Sequence, residues 1–377
     1  MIKKFLLLLI SLSSSHFSFA QKEASIWFFG KKAGVDFSYS YPVPVTVSEM
    51  NVKEGCVSMC NSGGWLQFYT NGMQVWNKYH KIMPHGKTLK GHDSSSQSAL
   101  AIPNPANPNI IYLFTSDAGS YANPPNNGVS YYKIDMTKEN GLGDIVGKDV
   151  LLLPNAAEKL TAVKHKNGKD IWVMAHGWNT NNFYCYLVTK DGVAKNAVIT
   201  RIGSVYEGGI STDGNAIGYM KFSPDGKRLC SVIYENNFAE LYDFNNETGV
   251  LSEYKLIFTP QSKLAYGCEF SPNSKLLYLS FYVTNEIYQW DVTLKTTADI
   301  MQSAVLIAQS LDKKMGAIQN ALDGKIYVAK HSDYLGCIPN PNIKGIGCGY
   351  IEQGIYLNGG EPQLGLPNYI TSYFNRP

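Results

Sequence analysis

The sequence predicts an all-β fold: a seven-bladed β-propeller of four-stranded antiparallel blades, its ring closed by strands from both termini. Three observations predict it. The stretch 215–258 reads as four short strands joined by three tight turns. Its first turn, Ser223-Pro224-Asp225-Gly226, returns in variant form at Asn61-Ser62-Gly63, in 104–109, and at Asn167-Gly168, Asn273-Ser274 and Asp323-Gly324; from Asp225 to Asn273 and from Asn273 to Asp323 the spacings are 48 and 50 residues. After each copy comes an apolar, aromatic strand. Four strands per period of roughly 40–50 residues is the signature of propeller blades.

The unit itself explains the ring. Pro224 fixes φ and lacks an N–H, and Gly226 accepts positive φ, so the tetrad reverses the chain. In 228–234, Leu229 and Ile233 face one side and Cys230, Val232 and Tyr234 the other. Both faces are largely apolar, as in a sheet packed between two neighbours. A lone meander of this kind is marginal, and copies in a ring supply the missing partners.

Taken in order, Met1–Ala20 reads as a signal peptide. It has Lys3 and Lys4, a short apolar core, and Phe17-Ser18-Phe19-Ala20 before Gln21. The core is too short for a membrane span, so the expectation is an exported chain, in the periplasm or at the cell surface, with one propeller domain over 21–377. Ser25–Gly30 and Gly34–Phe37 resemble second and third strands, and Leu366–Phe374 an inner strand. Together they would form blade seven. Blade one starts near Gly55, blade two at Ser98 with a long loop over 117–128, blade three at Leu160, and blade six at Gly316. Blades four and five are the regular ones. Truncating either end should unfold the ring.

Charged residues make up 17% of the chain and the net charge is +3. No basic stripe points to nucleic acid. The seven cysteines form no disulfide framework, although Cys337 and Cys348 flank a loop and are the best-placed pair. No spacing supports a zinc site, and no P-loop, HExxH or nucleophile elbow is present. No cofactor is expected.

In a propeller, the loops joining second to third strands share one face with the loops leading into the inner strands. That rule places His176, Trp178, Asn236, Asn285 and His331 around one mouth of the channel, with Glu54, Gln97 and Glu158 nearest the axis. Converging polar groups of this kind are a binding-site hypothesis. In the alternative reading, the same residues cap strand ends and solvate turns.

The stretches Glu54-Gly55-Cys56, 158–189 (EKLTAVKHKNGKDIWVMAHGWNTNNFYCYLVT), 216–229 (AIGYMKFSPDGKRL), 266–280 (YGCEFSPNSKLLYLS) and 364–374 (LGLPNYITSYF) resemble a propeller module of Bacteroidetes envelope proteins. That module often forms the N-terminal part of gliding-motility-associated or type IX-secreted proteins. The resemblance implies an envelope role with a protein, peptide or glycan partner, and brings no catalytic site. Tyr282-Val283-Thr284-Asn285 also resembles the YVTN propellers, some of which are lactonases. Two functions are therefore expected: a binding module, or alternatively a hydrolase or lactonase using channel-mouth carboxylates and His176.

Overall fold

The structure, a computed structural model, describes residues 21–118, 127–208, 214–258, 264–311 and 313–376. Residues 1–20, read above as a signal peptide, and most of the long loop of blade two lie outside the described residues. Seven antiparallel sheets follow one another along the chain. Blade one contains Val57–Cys60, Leu66–Thr70 and Val75–Asn77, and its outer edge is covered by 81–89, where Met83 N–H donates to Val75 O and Leu89 N–H to Met73 O. Blades two, four, five and six each have four strands, beginning with Ala99–Asn104, Met220–Phe222, Ala265–Phe270 and Met315–Asn320. Blade three begins with Ala156–Lys164 and carries a fifth short strand. The protein is a seven-bladed β-propeller.

The repeated turn works through its serine. Ser223 Oγ accepts from Arg228 N–H at 2.9 Å and donates to Asp225 at 2.6 Å, and Gly226 takes φ +70°. Blade five repeats the device, with Ser271 Oγ accepting from Leu276 N–H at 2.9 Å and donating to Asn273 at 2.7 Å. Strand faces on both sides of the blades are buried; every residue of Leu276–Phe281 and Met315–Asn320 is enclosed. The buried charges in this setting are paired, as burial requires. Lys221 Nζ bonds Gln319 Oε1 at 2.5 Å and lies 3.9 Å from Glu269, whose carboxylate also takes Asn320 N–H, tying blades four, five and six.

Blade seven differs from the expected strand closure. Ile26–Phe29, Ala33–Asp36 and Val43–Pro44 form its sheet. Its inner position is taken by the C-terminal segment, which meets Lys31 through a pair of bonds at Glu361 (2.8 and 3.1 Å). No regular ladder follows, and Thr371–Phe374 is a 3₁₀ turn rather than strand. The segment instead runs along the axis. Leu364 O accepts from Ala317 N–H of blade six, and Asn368 N–H donates to Cys56 O of blade one. Asn368 Nδ2 donates to Ala99 O of blade two (3.4 Å) and Leu160 O of blade three (2.8 Å), and Arg376 N–H reaches Pro272 O of blade five. The tail therefore fills the channel. All seven cysteines, Cys337 and Cys348 included, are buried free thiols. Among the described residues no helix is long and apolar enough to cross a membrane.

Candidate functional site

The site is built where the chain enters the inner strands. In Ala156–Lys164 the pairing register shifts between Ala156 and Leu160, an irregularity that re-aims side chains. The shift places Glu158 and Lys159 back to back, both fully buried. Glu158 Oε2 accepts from Ser96 N–H (2.9 Å) and Ser96 Oγ (3.0 Å) of the segment leading into blade two. Lys159 Nζ donates in the opposite direction, to Ile217 O, Gly218 O and Val232 O of blade four at 2.7–3.0 Å. Burial pushes the Lys159 ammonium down to about 7, against the pull of Glu158.

Glu54, just before blade one, is half-buried. Its Oε1 accepts from Ser94 Oγ at 3.2 Å and its Oε2 from Tyr266 Oη of blade five at 2.8 Å. Desolvation, and then the neighbouring Glu158 carboxylate, raise its carboxyl to about 8 despite the hydroxyl donors. Near neutral pH it keeps its proton and can donate a hydrogen bond. From Tyr266 an aromatic row leads outward. Tyr234 meets Tyr266 edge-on at 6.2 Å, Tyr282 lies 6.3 Å from Tyr234, and Lys314 Nζ sits 5.0 Å from the Tyr282 ring. Tyr234 and Tyr282 are partly exposed.

The other sequence-predicted residues divide. Gln97 is buried and consumed, its Oε1 accepting from Met220 N–H (2.7 Å) and its Nε2 donating to Met220 O (3.0 Å). His176 is not in a loop at the mouth. It lies in Ile171–Gly177, wholly buried, stacked on Tyr206 at 3.6 Å and meeting Phe183 edge-on at 4.4 Å. Burial, with Lys159 nearby, holds its imidazole well below the usual range, hence neutral. Trp178 is half-buried and packs against the apolar core between blades three and four. Asn236 is exposed and accepts from Asn215 Nδ2 at 3.1 Å. Asn285 shapes its turn with φ +55°, and its backbone O accepts from Ser310 N–H. His331 lines a separate polar cleft of about 400 Å³ with Asp333 and Glu361.

The structure thus brings Glu54 and Glu158 together through Ser96, and leaves His176, Asn285 and His331 apart from them. Sequence reading missed Ser94, Ser96 and Tyr234. The run Ser94-Ser95-Ser96 ahead of a core strand was the available signal, since hydroxyls there must find acceptors once buried.

No family model matches the chain, and no curated protein matches it. Solved structures do. A protein of unknown function from Desulfotomaculum acetoxidans is 12% identical, with 92% of this chain and 98% of that one covered at a TM-score of 0.50. A periplasmic gluconolactonase from Pseudomonas aeruginosa is 13% identical, with 70% and 74% covered and a TM-score of 0.45. A putative 6-phosphogluconolactonase from Bacteroides fragilis is 13% identical, with 83% and 76% covered and a TM-score of 0.45. What the chain shares with these structures is the propeller fold.

Proposed function

We propose that the protein is an exported binding module that holds a peptide segment or glycan of an envelope partner on its channel-mouth face. One observation carries this reading. The half-buried Glu54 carboxyl, pushed up to about 8 by burial and by Glu158, stands at the head of the Tyr266–Tyr234–Tyr282 row, above an axis filled by the chain's own tail. A ligand here lies across the face, with rings to pack on and a polar anchor at one end. Export rests on the leader-like Met1–Ala20, and a link to gliding motility or type IX secretion rests on the family resemblance.

The test is capture from envelope extracts with the mature protein and a Glu54→Ala/Tyr234→Ala/Tyr282→Ala variant, using His176→Phe as a buried control. The expected outcome is a partner held by wild type and by His176→Phe, and lost by the triple variant. A partner held equally by all three would place binding elsewhere. A second reading, a hydrolase or lactonase, is favoured by the pairing of a protonated Glu54 with Glu158, the arrangement of a general acid beside a carboxylate. Turnover of a lactone or ester panel that is lost in Glu54→Gln would support it.

A further inference from the structure

On the opposite face, the first turns of blades one and two and the 3₁₀ turn Lys22–Ala24 enclose a cleft of about 280 Å³. One wall is Trp65, 75% exposed. Trp27, Trp76, Trp172 and Trp290 are buried and Trp178 is half-buried, so Trp65 is the indole that faces solvent. It is held rather than loose, because Asn61 Oδ1 accepts from both Gly63 N–H (3.0 Å) and Trp65 N–H (3.1 Å), fixing the turn that presents it. Met59 and Cys60 line the cleft from the core side. Its polar side is Glu23, Gln67 and Asn109. Glu23 Oε2 is buried with no hydrogen-bond partner, a costly arrangement unless a ligand or water supplies a donor.

We propose that this cleft binds a saccharide, one sugar ring stacking on the Trp65 indole while its hydroxyls donate to Glu23 and bond the Gln67 and Asn109 amides. The chemistry of the lining favours a neutral polyol over a cation. Burial raises the Glu23 carboxyl above its usual value, disfavouring the charged form, and Lys164 nearby offsets part of what charge remains, so an incoming ammonium or guanidinium finds a weak counter-charge, and a single aromatic wall makes no cage. Amides and one carboxylate around an indole offer both donors and acceptors to hydroxyl groups. The fixed turn means that little ordering cost falls on binding. This site is separate from the channel-mouth face and stands whether or not that face binds anything.

The experiment is a titration of the folded mature chain with cello-, chito-, manno- and xylo-oligosaccharides, followed by tryptophan emission and by calorimetry. One series is expected to shift the emission of the exposed indole and release heat. Trp65→Ala should abolish the emission change and weaken binding about tenfold or more. Glu23→Gln should weaken it by a similar factor, Trp65→Phe should retain most of it, and Leu311→Ala, at an exposed residue outside the cleft, should leave it unchanged. Circular dichroism and melting confirm that each variant is folded. No binding across the four series, or equal affinity in Trp65→Ala, would overturn the proposal. So would tighter binding of an arginine-rich peptide than of any oligosaccharide.

Discussion

At the scale of single residues, the channel mouth turns on the protonation of Glu54. The folded protein holds that carboxyl at about 8, whereas an unfolded chain would release the proton near its ordinary value of about 4.3. Between these limits the native state binds a proton that the unfolded state does not. Stability is therefore full at low pH and falls as pH rises through the window. Wild-type melting temperature should drop by several degrees more between roughly pH 5 and pH 9 than that of Glu54→Gln, which has no proton to lose. Parallel curves would mean that Glu54 is ionised in the fold. The closeness of Glu54 and Glu158 follows from their positions, one just ahead of an inner strand and the other at the start of one, which is why repeat counting reached them. His176 was misplaced because its partner Tyr206 sits thirty residues later in an irregular segment, and no periodic pattern announces such a contact.

At the scale of elements, the repeating turns were legible because their chemistry is local. Pro, Gly and a serine hydroxyl set the reversal wherever they occur. The C-terminal segment was only half legible. Its apolar, aromatic character marks burial, but its hydrogen bonds run through the side chains of Asn368 and Thr371 to several blades. A strand pattern cannot encode that. Close approach at Gly365 makes the arrangement testable: a Cβ there would overlap the Glu54 carbonyl. Gly365→Ala should cost about 2–3 kcal/mol in urea denaturation. It should also lower the Glu54 titration midpoint by loosening the desolvated mouth. An unchanged midpoint together with unchanged stability would show that the backbone at the mouth yields freely.

At the scale of the whole molecule, the seven sheets are joined sideways by packing and centrally by one segment. Deleting 364–377 should remove bonds to blades one, two, three, five and six at once, besides exposing apolar inner strands. The shortened chain is expected to lose its cooperative melt and to be cut rapidly by a dilute protease. A single sharp transition near the wild-type temperature would show that the ring stands without its axle. That axle follows all seven sheets in chain order. A polypeptide made from its amino end presents every blade before the segment that locks them. The ring therefore cannot lock until every blade is already in place.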